Sequence, residues 1–229
     1  MKLMIYVLCY DDSSENMAIA SFSGFPWARV YRLPEERQNH LQEGIAYTTE
    51  LIALYDEWKD ADFVGTVSYC FFDKIPYSHF INLINGITST TDAVFFYTGT
   101  DPNVGNCNLI LKELLDDICN RLFNTNSGLL NGLKSKRINK ITRYSFSNFF
   151  VVRPNLMFDY IHWVSNTVIP MLEKHPNVWC DSGYYNNKIN GERLLKLTKN
   201  RVSYFPCHVF IVERLPYSYF LSKNLKILF

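Results

Sequence analysis

The sequence lacks the patterns that mark membrane-spanning and zinc-binding proteins. It contains no run of about 18 consecutive apolar residues and therefore predicts no transmembrane helix. The six cysteines are widely spaced and include no Cys-x-x-Cys pair, which gives a structural zinc site little support. We interpret them as reduced cysteines of a cytosolic protein, several of them in apolar core segments.

The chain also lacks an excess of charge of either sign. Its 229 residues include 23 Lys and Arg against 22 Asp and Glu, a net charge of +1. This balance predicts no general electrostatic attraction to nucleic acid or to an anionic membrane. Hydrophobic residues make up 48% of the chain and charged residues 20%, which excludes disorder as the main state.

Aromatic residues, in contrast, are abundant, at 16% of the chain. This content is typical of a well-packed core. It also suits a pocket that stacks on flat ligands such as bases or sugar rings.

The hydrophobic pattern predicts strands and helices that alternate along the chain. The apolar N-terminal run is short and is followed at once by Asp11 and Asp12, so we interpret it as a buried strand and not as a signal peptide. Strand–helix–strand order favours one α/β domain around a mainly parallel sheet, and no linker or internal repeat divides the chain. The predicted strands are 3–9, 63–72, 93–97, 146–152 and 207–212; the predicted helices are 44–59, 78–85, 106–123, 154–174 and 191–199; the predicted loops are 10–34, 124–140 and 176–187.

Acidic side chains follow the first three predicted strands. Ligands of open α/β sheets bind beyond the carboxyl ends of the strands, and Asp11, Asp12, Asp73 and Asp101 lie there. Converging carboxylates suit a divalent cation. Asp is also a common turn former and helix cap, so both interpretations stay open at this point.

Three segments together resemble one family. They are Lys2–Tyr10, Glu50–Tyr69, and the late pair Ser147–Pro154 and Val212–Leu215. Their order is similar to that of the capsular- and exopolysaccharide-type glycosyltransferases of bacteria and large viruses. The resemblance covers roughly residues 2–75 and 144–220, and its most specific part is the Glu-Leu-x-Ala-Leu-Tyr helix with the Val-Gly strand that follows it.

The resemblance implies a GT-A-like α/β fold with a mixed, mostly parallel central sheet flanked by helices. It implies one domain over residues 1–229, with a nucleotide-binding half of about residues 1–105 and an acceptor-side half of about 106–229. The implied protein is a cytoplasmic hexosyl- or pentosyltransferase (in the host cytoplasm if virus-encoded) of polysaccharide biosynthesis. Its donor substrate would be a UDP-, GDP- or dTDP-sugar, its acceptor a glycan or glycoprotein, and a divalent metal, Mn²⁺ or Mg²⁺, is compatible with the family. No nucleic-acid partner is expected.

Sugar transfer needs a nucleotide pocket, a stabilised diphosphate and an oriented, deprotonated acceptor hydroxyl. Asn148 lies where related enzymes place an Asn that faces the donor sugar. Two of the candidates have alternative interpretations. Arg29 can be a solvated surface residue, and Glu213 can form a buried structural pair with Arg214. The candidates are Cys9, Tyr10, Asp11 and Glu50 for the nucleotide, Arg29 and Arg32 for phosphate, Asn148 for the sugar, Asp73 for a metal, and Asp181 and Glu213 as bases.

The sequence departs from the family pattern where the strand 63–72 ends. The family usually has a His-Tyr-Arg-Arg-like stretch there, whereas this chain has Ser68-Tyr-Cys-Phe71 followed by Asp73. The basic residues that would hold a diphosphate are missing at that point. A non-catalytic carbohydrate-binding module with the same fold is therefore the main alternative. The basic run Lys134–Lys140 with Arg143 is the only cue for a third alternative, a nucleic-acid-binding protein.

Overall fold

The computed structural model describes residues 1–34, 42–96, 117–123, 136–138, 141–143, 148–175, 207–223 and 225–229. For residues 42–47, 136–138, 141–143, 207 and 209–210 it describes the backbone only. The described strands are β1 Leu3–Cys9, β2 Ala28–Arg32, β3 Phe63–Ser68, β4 Ala93–Phe95, β5 Lys136–Ile138, β6 Ile141–Arg143, β7 Phe150–Val152 and β8 Ile227–Leu228.

Helices connect these strands. The described helices are α1 Asp12–Phe22, α2 Gln42–Ala53, α3 Tyr55–Trp58, α4 Phe71–Lys74, α5 Tyr77–Asn85, α6 117–123, α7 Pro154–Trp163, α8 Ile169–Lys174, α9 Cys207–Val212 and α10 Leu215–Ser222, and a π-helical turn, Val164–Val168, joins α7 to α8. None of the described helices combines the length and the apolar character that crossing a membrane requires.

Six of the strands form one sheet in the order β2-β1-β3-β7-β4-β8. β1 pairs in parallel with β2 and β3, and β4 pairs in parallel with β8. β7 is antiparallel to both of its neighbours, β3 and β4. The predicted α/β fold with a mixed, mostly parallel sheet flanked by helices is therefore confirmed. The proposed division near residue 105 stays a prediction.

Helices cover both faces of the sheet, which explains why β1 is apolar without alternation and almost wholly buried. On one face, Phe22 of α1 stacks on Phe72 of α4, with ring centroids 4.9 Å apart. On the other face, Phe150 of β7 packs against Tyr160 of α7 and Phe220 of α10, at 6.0 and 5.6 Å. The core thus consists of two aromatic-rich layers with the sheet between them.

Two predicted elements are wrong. Residues 10–34 are not a loop, because they contain α1 and β2. The hydrophobic periodicity of the sequence did not predict α1, because this helix buries only Ser14, Ala18 and Phe22. Residues 207–212 form helix α9 and not a strand, which reflects the ambiguity of a short apolar run.

Other predicted elements are confirmed or need only new boundaries. The helices 78–85 and 154–174 are present, the latter with its π-helical turn. The strand predicted over 63–72 ends at Ser68, and the chain then turns into α4. The helix predicted over 44–59 is divided at Leu54 into α2 and α3. Residues 124–140, predicted as a loop, include β5. The predicted loop 176–187 and helix 191–199 lie outside the described residues.

Candidate functional site

The ends of β1 and β3 lie side by side at one edge of the sheet. β1 leads into Tyr10 and β3 leads into Tyr69, and the rings of these two tyrosines meet edge to face with centroids 6.4 Å apart. β7 runs in the opposite direction, so the residue two positions before it, Asn148, lies at the same edge. We call this edge, marked by Tyr10, Tyr69 and Asn148, the carboxyl edge. It is where open α/β sheets bind their ligands.

Asn148 has an unsatisfied polar group at the carboxyl edge. The residue is 3% exposed, and its Oδ1 accepts no hydrogen bond from any described residue. Its backbone oxygen accepts a hydrogen bond from Thr66 Oγ1 of β3 at 3.5 Å, which fixes the position of the residue. Buried amide oxygens are nearly always paired, so this one is an acceptor suited to a ligand hydroxyl or N–H.

Asp11 lies at the carboxyl edge and caps helix α1. Its Oδ1 accepts a hydrogen bond from the Ser14 backbone N–H at 2.8 Å, and its own N–H donates to Ser14 Oγ at 2.9 Å. This reciprocal pair is a capping box that satisfies backbone groups at the start of the helix. The interpretation of this aspartate as a helix cap is confirmed, and its predicted contact with a nucleotide stays a prediction.

Cys9, the last residue of β1, is a buried thiol whose Sγ lies 3.5 Å from the Val7 carbonyl oxygen. Burial, with smaller contributions from the nearby carboxylates of Glu15 and Asp11, raises the pKa of Cys9 to about 12. The thiol therefore stays protonated at neutral pH and is unsuited to act as a nucleophile. Its predicted role in the nucleotide pocket stays a prediction.

Glu50 of α2 is a buried carboxylate, 8% exposed. Its Oε2 accepts a hydrogen bond from the hydroxyl of Tyr31 at 3.3 Å. Tyr31 is aligned with Leu8, one residue before the end of β1. Glu50 therefore lies close to the carboxyl edge, on the sheet face that α2 covers.

The two candidate phosphate-binding arginines bind groups of the protein itself. Arg29 is aligned with Tyr6, three residues before the end of β1, and its Nη1 donates to the carbonyl oxygens of Pro26 and Ala28, each at 2.9 Å. Arg32 is aligned with Cys9 at the carboxyl edge. Its Nη1 binds Asp12 Oδ1 at 2.5 Å and Glu15 Oε2 at 3.0 Å. These carboxylates raise the pKa of Arg32, and an anionic ligand would have to compete with them.

Asp73 is exposed in α4, the short helix that follows β3. Its backbone N–H donates to the Cys70 carbonyl oxygen at 3.2 Å, which holds the turn at the carboxyl edge. Within the described ranges, no group of three or more His, Cys, Asp or Glu residues is placed to hold a metal ion. Asp73 alone supplies too few oxygen atoms for the six ligands of Mg²⁺, so a metal here would need ligands from outside the described residues, and the predicted metal role of Asp73 stays a prediction.

Glu213 is half-buried in the turn between α9 and α10. α10 begins near the carboxyl edge, because Tyr217 in its first turn packs against Phe95 at the end of β4 and against Phe229 beyond β8, at 5.3 and 5.5 Å. The turn that carries Glu213 therefore lies toward the same edge as Asn148, although it follows a helix and not a strand. Asp181 lies outside the described residues, and its role as a base stays a prediction.

Two side chains near the carboxyl edge, Tyr31 and Tyr69, were not among the residues predicted from the sequence. The hydroxyl of Tyr31 binds the buried Glu50, and the ring of Tyr69 contacts that of Tyr10. A signal for Tyr69 was present, since an aromatic residue directly after a buried strand lies at the edge where ligands bind. Tyr31 gave no such signal, because β2 was not predicted.

Comparison with known proteins supports this geometry at the level of the fold. No protein-family model matches the sequence, and no curated protein matches it. A solved structure, the apo form of WbbM, which is described as a bifunctional glycosyltransferase, matches 99% of this chain with a TM-score of 0.51 and 15% sequence identity. This chain has the fold of a glycosyltransferase structure. It covers 44% of the length of the WbbM chain, and at this identity the likeness concerns the fold alone.

Proposed function

We propose that this protein is a glycosyltransferase that moves a sugar from a nucleotide-activated donor to a glycan or glycoprotein acceptor. The observation that carries the proposal is the buried, unpaired Oδ1 of Asn148, which lies at the same edge of the sheet as Tyr10 and Tyr69, where this class of sheet binds ligands. The likeness to a glycosyltransferase structure supports it.

In the proposed reaction an acceptor hydroxyl oxygen forms a bond to the anomeric carbon of the donor sugar. The bond between that carbon and the diphosphate oxygen breaks, and the nucleoside diphosphate leaves with the electron pair. Glu213 or Asp181 takes the proton of the acceptor hydroxyl as a general base. Asn148 orients the sugar by accepting a hydrogen bond from one of its hydroxyls, and Tyr10 packs against the nucleotide.

The nucleoside diphosphate also needs a positive charge beside it as it leaves. Among the described residues, Arg32 is the candidate, since it lies at the carboxyl edge, and donor binding would draw it away from Asp12 and Glu15. Asp73 is the candidate ligand if a metal takes this role. With one described carboxylate, such a site would need the donor's own phosphate oxygens as further ligands.

Thermal unfolding in the presence of UDP-, GDP- and dTDP-sugars, each with and without Mn²⁺, tests the proposal. Binding to the folded state raises the melting temperature, so one donor class should stabilise the protein selectively. That donor should also be hydrolysed slowly, with release of the nucleoside diphosphate. The absence of stabilisation by every nucleotide and nucleotide sugar would overturn the proposal.

A carbohydrate-binding module that retains the fold without the chemistry is the second candidate. The contacts of the two candidate arginines favour it, because Arg29 and Arg32 bind groups of the protein itself. In addition, the sequence has no basic stretch after β3 that could hold a diphosphate. This candidate predicts glycan binding without nucleotide affinity. It also predicts that Asp73→Ala leaves glycan binding unchanged. If the protein is instead a transferase whose metal is held by Asp73, the same substitution should abolish sugar transfer.

A further inference from the structure

The strand order of the sheet identifies the part of the carboxyl edge where a ligand fits. The connection from β1 to β2 contains α1, on the sheet face where Phe22 meets Phe72. The connection from β2 to β3 contains α2 and α3, and Tyr55 of α3 packs on Phe158 of α7, on the other face, with ring centroids 5.1 Å apart. The order β2-β1-β3 therefore reverses between β1 and β3, and sheets of this kind bind their ligands in the crevice at that point.

Two neutral polar residues lie next to this crevice, Ser68 at the end of β3 and Asn148 shortly before β7. β3 and β7 are antiparallel, and the pair aligned nearest the carboxyl edge is Thr66 with Phe150. Continued by two residues, the same register brings Ser68 opposite Asn148, and the hydrogen bond from Thr66 Oγ1 to the Asn148 backbone oxygen shows that the two segments stay close there. Opposed side chains of an antiparallel pair share one face of the sheet, with Cβ atoms about 4.5–5.5 Å apart. One ligand oxygen can therefore lie within hydrogen-bond distance of both side chains.

Both side chains have hydrogen-bonding capacity for a ligand. Oδ1 of Asn148 is an acceptor without a partner among the described residues. Ser68 is 5% exposed, and its Oγ contacts Sγ of Cys70 at 3.3 Å. Since a thiol is a weak hydrogen-bond partner, the Ser68 hydroxyl can exchange this contact for a stronger one with a ligand. The two residues thus offer one acceptor and one donor, both shielded from water, and such groups reject a ligand that leaves them unpaired.

This arrangement fits a hydroxyl group better than the other polar groups of a nucleotide sugar. A hydroxyl donates and accepts at the same oxygen atom. The N–H and the C=O of an acetamido group point in opposite directions, so one such group does not serve two adjacent side chains. Neither Ser68 nor Asn148 carries a positive charge, so they are unsuited to hold a phosphate.

We propose that Ser68 and Asn148 together bind one hydroxyl group of the donor sugar, an inference that rests on the proposed function. The sugar hydroxyl donates a hydrogen bond to Asn148 Oδ1 and accepts one from the Ser68 hydroxyl. Ser68 is thereby a specificity-determining residue. A donor that lacks this hydroxyl, or carries an acetamido group in its place, should bind poorly.

Isothermal titration calorimetry tests the proposal with the donor that stabilises the protein best and with its monodeoxy analogues, each lacking one hydroxyl of the sugar or of the ribose. Ser68→Ala and Asn148→Ala should each bind the donor about tenfold more weakly, the effect of one lost hydrogen bond. One analogue deoxygenated in the sugar should bind the unmodified chain about a hundredfold more weakly, because it loses both hydrogen bonds. With this analogue alone, the two variants should bind as well as the unmodified chain does. A residue that only maintains the fold would instead weaken the binding of every analogue.

The matched control is Ser21→Ala, which removes an exposed hydroxyl near the far end of α1 and should leave every affinity unchanged. Circular dichroism and thermal unfolding verify that each variant is folded. Unchanged donor affinity in Ser68→Ala, or the same further loss with every analogue, would refute the inference and leave the proposed function in place. If the analogue that matches the variants lacks a ribose hydroxyl, the assignment to the donor sugar is wrong. Lack of binding by every nucleotide sugar would refute the proposed function and this inference with it.

Discussion

Tyr160 carries a hydroxyl group in the core for which the described residues supply no hydrogen-bond partner. Burial raises its pKa well above the ordinary value, and the rings of Phe150, Trp163, Tyr219 and Phe220 surround it. Desolvating an unpaired hydroxyl costs free energy of folding. We expect Tyr160→Phe to increase the free energy of unfolding by about 1 kcal/mol, as measured by urea denaturation.

Tyr6 is the matched control for this substitution. Its hydroxyl is also in the core, but it donates a hydrogen bond to Glu57 Oε2 at 3.1 Å. Tyr6→Phe should therefore decrease the free energy of unfolding by about 1 kcal/mol. A loss of stability in Tyr160→Phe as large as in Tyr6→Phe would contradict this account of the core.

Gly65 of β3 lies where the backbone of β7 comes close. A Cβ atom at this position would be 1.9 Å from the carbonyl oxygen of Phe150, which is part of the neighbouring strand. Gly65→Ala should lower the free energy of unfolding by about 1–3 kcal/mol or more, since strand β3 or β7 must shift. In the control, Gly24→Ala, a Cβ would have no atom within 4 Å, so a change within about 0.5 kcal/mol is expected. Equal changes in the two variants would show that the strands have room to separate.

At the start of helix α1, two substitutions of Asp11 can separate its role as a helix cap from its predicted role in ligand binding. Asp11→Ala removes the side chain that accepts the Ser14 N–H and should cost about 1 kcal/mol of stability. Asp11→Ser keeps a capping oxygen and should restore most of that stability. If Asp11 also binds the nucleotide, Asp11→Ser will be stable in urea denaturation yet weak in donor binding. Normal donor binding by this variant would limit Asp11 to its role as a cap.

The sequence predicted the elements whose apolar residues recur regularly. The run in β1 and the helical periodicity of 154–174 were found because burial imposes the pattern directly. α1 was missed because its buried side chains are small or polar apart from Phe22, although Asp11 and Ser14 gave a capping signal. α9 was predicted as a strand since six residues are too few for periodicity to distinguish the two structures.

Only part of the candidate site could be predicted from the sequence, because some of its features depend on which elements lie side by side in the fold. The strand ends identified Tyr10 and Asp11, because residues next to a buried strand are visible in the sequence. Asn148 was placed by family resemblance, and its unpaired Oδ1 became visible only in three dimensions. The pairing of Arg32 with Asp12 and Glu15 could not be predicted from the sequence, because it depends on β2 lying beside α1.

For the whole molecule, the central claim is that the carboxyl edge binds a nucleotide sugar through Asn148. Because Oδ1 of Asn148 has no described partner in the folded protein, Asn148→Ala should lose ligand affinity without loss of a hydrogen bond within the described structure. Asn155 is the matched control, since it is exposed near the start of α7, where the chain leaves β7 at the opposite edge of the sheet.

The most direct test is the dissociation constant of the donor that stabilises the protein best, measured by isothermal titration calorimetry on three proteins. The unmodified chain and Asn155→Ala should bind this donor with the same affinity. Asn148→Ala should bind it about tenfold more weakly, the effect of one lost hydrogen bond to the ligand. Equal affinity of Asn148→Ala and the unmodified chain would contradict the account.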